Sequence, residues 1–319
     1  MFHSTDSALL DQGQLAAKPS SQSIPASQRL GRAMQQHPLV YFFLMAYTFS
    51  WIMLIPFVLS EWGILSQNFT IAFALNPFVG PTLAALIMTR ITEGKAGVKH
   101  LRRNLFQVRA GWQWYLFILL GIPALLLLGI SVLPGGLVSF QGFPPHFPVE
   151  YVVTFVVIFF LGGPLGEEIG WRGFALPRMQ LRYGPLGGTL RLGVLWVFWH
   201  LPHFLTSAQR GGLDSSFATF LTNFPIFFLL VMSMNVIFTW VFNHTRGSLF
   251  MAILLHASIN TFSIVVPLFA APIVTNTDLA ILIGMMLPAV LIVILTRGRL
   301  GYRTDQIYTG TETILQNEG

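Results

Sequence analysis

The sequence predicts an all-α, polytopic membrane protein, with about eight transmembrane helices around a polar site buried in the inner half of the bilayer. Three observations carry this reading. Hydrophobic residues make up 54% of the 319 positions and charged residues only 9%, whereas a soluble domain carries nearer a quarter charged. Apolar stretches close to the ~20 residues needed to cross a bilayer recur along the chain. Two adjacent carboxylates, Glu167 and Glu168, stand inside that apolar body, where ionisable groups cost several kcal/mol each unless paired or hydrated, and so tend to mark a working site.

The apolar stretches fall at about 38–60, 70–90, 112–133, 149–170, 188–206, 217–242, 247–270 and 278–296. The fourth and fifth are interrupted, by Gly162-Gly163-Pro164 and by Pro202. Such breaks are tolerated where neighbouring helices or water satisfy the freed backbone groups. Residues 1–37 are polar and rich in Ser and Gln, without the basic start and short apolar run of a cleavable signal. They are expected to form a disordered cytoplasmic tail, as is 304–319, leaving 38–303 as the transmembrane domain.

Charge gives the orientation. With eight spans the connections alternate sides, and all the basic residues but one share a side: the N-terminal Lys18, Arg29 and Arg32, the loop from Arg90 to Arg109, Arg172 to Arg191, Arg246, and Arg297 to Arg303. The other side holds only Arg210. Cytoplasmic loops concentrate Lys and Arg, so both termini are expected in the cytoplasm. The net charge of +6 is thus a topology signal, and nucleic acid is not an expected partner. Short connections and no long luminal domain point to a multi-pass protein of a bacterial plasma membrane. The absence of cysteine excludes disulfides and thiol catalysis and leaves the redox compartment open.

Most polar groups lie in tails and loops. Of the 12 acidic residues, only Glu167 and Glu168 fall within the membrane-forming body. His200 and His203 lie in the fifth stretch, within Trp196-Val197-Phe198-Trp199-His200-Leu201-Pro202-His203, and His256 lies in the seventh, within Leu255-His256-Ala257-Ser258-Ile259-Asn260. The fourth stretch runs inward and meets Glu167 near its cytoplasmic end, and the fifth and seventh start from that end. His200 and His256 then lie roughly 14–18 Å in, at ~1.5 Å per residue. All three helices thus present polar groups at one depth. His256 and Asn260, like Glu168 and Arg172, are spaced to share a helix face.

Each residue alone has a plainer reading. A single buried histidine is more often a helix-to-helix hydrogen bond than a catalyst. Asn260 alone is ordinary interhelical glue, Glu168 with Arg172 alone is more often structural, and the aromatics around His200 are most simply packing or lipid-facing groups. Co-location favours a functional site. A carboxylate and an imidazole sharing one water can deprotonate it as it attacks a peptide carbonyl, and a His with an Asn four residues on can donate to the developing oxyanion. The same residue types suit zinc, with Glu167, His200 and His256 as the ligand set and an open position to activate water. The H-E-x-x-H and G-x-S-x-G patterns are both missing.

Three stretches together resemble the CAAX prenyl protease and bacteriocin-processing (CPBP, or Abi) family of intramembrane proteases. They are Glu167-Glu168-Ile169-Gly170-Trp171-Arg172, Trp196-Val197-Phe198-Trp199-His200, and Thr245-Arg246-Gly247-Ser248-Leu249 through His256 to Asn260, within about 150–262. The family pattern is E-E-x-x-x-R, then F-x-x-x-H, then H-x-x-x-N; Trp196 stands where that pattern has phenylalanine. The resemblance implies that Glu167 and His200 activate water, that His256 and Asn260 form an oxyanion hole, and that Glu168 and Arg172 organise the site as an ion pair. It leaves His203 without a role. It implies a substrate that is a peptide, prenylated or otherwise, near the cytoplasmic face. A metal is associated with the family, while a metal-free glutamate mechanism fits the same residues. A non-catalytic role in bacteriocin immunity or scaffolding is the alternative, and a proton-coupled transporter ranks last because the broken segments cluster in one half of the chain.

Overall fold

Backbone groups in lipid must bond within their own segment, and the long apolar runs accordingly fold as helices. The computed structural model describes residues 26–206, 217–270, 273 and 277–303. Among these residues there is no strand, only one isolated bridge between Phe140 and Phe269. The expected tails over 1–25 and 304–319, and the connection holding Arg210, lie outside the described residues.

The elements are α1 (Ala26–Gln36), α2 (Pro38–Glu61), α3 (Thr70–Thr92), α4 (Gly94–Leu105), α5 (Trp112–Val132), α6 (Phe147–Tyr183), α7 (Pro185–Trp199), α8 (Phe217–His244), α9 (Leu249–Thr261) and α10 (Thr277–Leu295). Helix α1 corrects part of the expected tail. Its residues 26–36 are helical and pack on α2 and α3, and Gln35 donates to the Ile91 carbonyl at 3.1 Å.

Among the described residues seven helices are long and apolar enough to cross a bilayer, and α7 is not among them. Its 15 residues rise roughly 22 Å at ~1.5 Å each, short of a ~30 Å hydrocarbon core. It ends at Trp199 and continues as a 3₁₀ turn, Leu201–Leu205. Of the carbonyls at its end, Trp199 O accepts from Trp51 of α2 at 3.1 Å, Val197 O accepts from the His200 N–H and Trp196 O faces His200 Nδ1, while Tyr47 of α2 donates to Leu195 O one turn earlier.

Burial grades from edge to centre. In α9 every residue from Met251 to Ile259 is buried, as expected of a helix apolar all round. The first part of α6, Phe147–Leu161, buries none and shows Val149, Val152, Val156 and Phe160 outward. The second part of α6 turns inward and packs against α3, α7 and α9. Phe42 stacks on Phe174 at 4.9 Å and Phe43 on Trp171 at 6.0 Å, which fixes α2 against this segment.

Candidate active site

The two glutamates owe their position to three glycines. Gly163 has φ 104°, a conformation an L side chain rarely adopts, and it re-aims α6 between Leu161 and Pro164. A Cβ at Gly163 would also stand 2.9 Å from Glu167 Oε1. One turn on, Gly166 and Gly170 lie directly on α3, where a Cβ would come within 2.7 Å of Pro77 and 2.5 Å of Pro81. Thr82 Oγ1 donates to Gly166 O across the same contact. With Gly166 and Gly170 against α3, the intervening carboxylates are buried, Glu167 at 6% exposure and Glu168 at 0%. The helix widens to a π turn over Trp171–Ala175, a feature that often accompanies functional sites.

Glu168 is the centre of an ionic network. Its Oε1 accepts from Arg172 Nη1 at 3.2 Å and from His256 Nδ1 at 2.7 Å, and Nη1 is 3.1 Å from Oε2. Arg172 Nη2 donates to Asn235 Oδ1 at 2.6 Å, and Asn235 in turn donates to Thr189 O. The guanidinium lies between two rings, 4.4 Å from the Trp196 centroid and 4.3 Å from Phe238. Cation–π contact of this kind strengthens when desolvated.

Glu167 sits in a second, adjoining set. Its Oε2 accepts from Trp196 Nε1 at 2.7 Å and from Trp171 Nε1 at 3.3 Å. Trp196 also touches both histidine motifs, since its ring centroid lies 5.9 Å from His200 and 5.6 Å from His256. His200 Nδ1 is 2.8 Å from Trp196 O. A carbonyl only accepts, so Nδ1 carries the proton and Nε2 of the neutral ring keeps its lone pair. His200 stands just past the end of α7, at the start of the 3₁₀ turn.

His203 and Asn76 extend this set towards α3. Asn76 Nδ2 lies 3.4 Å from His203 Nε2, both residues are buried, and the His200 and His203 rings are 5.3 Å apart. Asn260 is half-buried on α9, one turn beyond His256, and its backbone carbonyl accepts from the Phe262 N–H at the end of the helix.

Five of the sequence-predicted residues therefore gather in two linked groups, and Asn260 is bonded to neither. Glu168, Arg172 and His256 touch directly, while Glu167 and His200 are both bonded to Trp196. Sequence reasoning missed Asn235, Asn76 and the two indole donors, and it took the tryptophans near His200 for packing or lipid-facing groups. Trp196 and Trp199 are buried packing residues, and the Trp196 N–H, with that of Trp171, is also on a carboxylate. The Gly166-x-x-x-Gly170 spacing was the signal for the α3 contact. The residue types of Glu167, His200 and His256 suit zinc. Among the described residues no three His, Asp or Glu side chains stand close enough together to form a ready ligand group, while the Glu168 bond to His256 Nδ1 leaves Nε2 free, as it is in a ligating histidine.

Residues 149–262 match the family described as Type II CAAX prenyl endopeptidase Rce1-like. The chain carries an Rce1-like segment. It holds α6 from its outward face to the end of α9, and so contains both groups of the site. The CAAX prenyl protease 2 of Methanococcus maripaludis is 31% identical over 142 residues, which is 44% of this chain and 51% of that protein. The chain thus spans about half the length of the curated relative it matches. Outside the Rce1-like segment lie α2 and α3, whose Ser50 and Asn76 bond to Trp199 and His203 within it.

Proposed function

We propose that this protein is an intramembrane endopeptidase of the CAAX type, cleaving a peptide near the cytoplasmic face of the membrane. The observation that carries the proposal is the bonding of Glu167 and His200 to one residue, Trp196, beside the buried Glu168–His256 pair. In the reaction, a water between Glu167 and His200 Nε2 loses a proton to one of them as its oxygen attacks the peptide carbonyl carbon. The tetrahedral intermediate then collapses, the C–N bond breaks, and the same proton passes to the departing amine.

His256 and Asn260 share a helix face and are suited to donate to the oxyanion. Donation from His256 Nε2 requires the doubly protonated ring, because Glu168 takes the Nδ1 proton, and the Glu168 carboxylate is the counter-charge for it. Arg172 holds Glu168 and compensates its charge.

The matched relative's name makes a prenylated CAAX peptide the first substrate to test. The cytoplasmic placement of both termini rests on the loop charges, and it requires α7 with the Leu201–Leu205 turn to act as an eighth crossing. The deciding experiment is cleavage of prenylated and unprenylated membrane peptides by reconstituted protein. Glu167→Ala is expected to lose roughly 10²-fold or more of kcat, the scale of a lost general base. Equal cleavage by wild type and variant defeats the proposal.

A further inference from the structure

We infer that Trp171 and Trp196 are positioning residues for Glu167: their two indole N–H groups bond the same oxygen, Oε2, and leave Oε1 as the oxygen that takes up the proton. The inference rests on the peptidase reading above and adds the device that aims its base. A glutamate side chain has three rotatable bonds and would sample several orientations in an open pocket. Here one oxygen is fixed from two sides, at 2.7 Å by Trp196 and 3.3 Å by Trp171. Hydrogen bonds to an ionised acceptor are the stronger kind, and a buried indole N–H needs a partner in any case.

Both donors are themselves held. Trp171 is fully buried between Phe43 and Trp199, at ring distances of 6.0 and 5.6 Å. Trp196 is 2% exposed, with the Arg172 guanidinium on one contact and Phe238 on another. Behind Glu167, Gly163 leaves room for Oε1 that any side chain would remove.

Trp196 has a second hold on the reaction. Its carbonyl accepts from His200 Nδ1 while its indole donates to Glu167. One residue therefore sets the spacing between the two groups that share the attacking water. Phenylalanine, which the family pattern has at this position, fills much of the space but has no N–H. Packing alone therefore does not call for tryptophan here.

The test replaces Trp196 with β-(3-benzothienyl)alanine, which puts sulfur in place of N–H at nearly the same shape and keeps the backbone carbonyl for His200. The expected result is a fall in kcat of roughly 10- to 100-fold, as misplacement of a reacting group produces, with KM unchanged. An unchanged kcat overturns the inference. A second arm needs no turnover: ultraviolet resonance Raman difference spectra between Trp196 and Trp196→Phe proteins isolate the Trp196 indole. Its N–H band is expected to move when Glu167→Ala is introduced, and a band that stays put overturns the inference as well. Wild-type protein that cleaves nothing, with a band that does move, defeats the peptidase reading and upholds the indole clamp on Glu167.

Discussion

Glu168 accepts from both Arg172 and His256 through one oxygen, at 3.2 and 2.7 Å, and so ties the π turn of α6 to the most buried helix of the fold. Glu168 and Arg172 are both fully enclosed. Their charges balance only as a set. Removing one member strands the other without water to solvate it, a situation that costs about 3–5 kcal/mol.

Arg172→Met is therefore expected to destabilise the protein by about that amount, and Glu168→Gln by a comparable amount. The Glu168→Gln/Arg172→Met double variant should lose clearly less than the sum, because no unpaired charge remains. Unfolding in detergent, run as a double-mutant cycle, reads this directly. Strict additivity of the two single changes would show that the pair is not coupled.

Asn235 shares the guanidinium with Glu168 by accepting from Arg172 Nη2 at 2.6 Å. Asn235→Leu removes a hydrogen bond to a charged group and leaves an N–H of Arg172 buried without a partner, at a cost of about 1–3 kcal/mol. Asn235→Asp keeps an acceptor at that point and should recover most of the loss in the same melts. If Leu and Asp behave alike, the bond contributes nothing.

The contact of α6 on α3 is tested at Gly170, where a Cβ would come within 2.5 Å of Pro81 Cβ and 2.8 Å of its carbonyl oxygen. Overpacking of this kind costs typically about 1–3 kcal/mol. The shift it forces also moves the glutamates two and three residues upstream. Gly170→Ala should thus lower peptide cleavage more than it lowers the melting temperature, whereas Gly31→Ala, with open space around it, should change neither.

The membrane class, the spans and the three polar motifs were legible because lipid makes any unpaired charge conspicuous in sequence. The eight-span expectation met seven long helices because the fifth stretch, read as 188–206, is helical only to Trp199. Pro202 marked the break, but the capture of Leu195 O by Tyr47 and of Trp199 O by Trp51 is a long-range contact that no local pattern announces. Glu168 with Arg172 was readable from i, i+4 spacing. Asn235 and Asn76 were not, since each lies among scattered polar residues of a largely apolar helix and its partner lies 63 or 127 residues away. The N–H of Trp196 was hidden by the habit of counting tryptophan as an apolar ring.

His100 on α4, outside the spans, predicts a pH dependence. Burial lowers its pKa below the ordinary 6.5, neighbouring Arg103 lowers it further, and Glu93 opposes them. A histidine whose folded pKa is depressed binds its proton more readily when unfolded. Stability is therefore retained above the unfolded value near pH 6.5 and declines as pH falls through the lower folded value. Melting temperature measured between about pH 8 and 5 should fall on the acid side, and His100→Gln should flatten that limb. A variant that tracks wild type at every pH removes His100 as the cause.

The absence of native cysteine makes orientation directly measurable, because any thiol in the protein is then one introduced by design. Lys99 on α4 is exposed within the basic connection, and Val138 is 96% exposed in the connection between α5 and α6. The helix α5 separates these two sites and is long and apolar enough to cross the bilayer. In sealed right-side-out vesicles, a membrane-impermeant maleimide should label Val138→Cys and spare Lys99→Cys until the membrane is opened. Equal labelling of both in sealed vesicles breaks α5 as a crossing. Labelling of Lys99→Cys alone keeps the crossing and inverts it, which would move the basic loops, the termini and the glutamate end of α6 to the outer face.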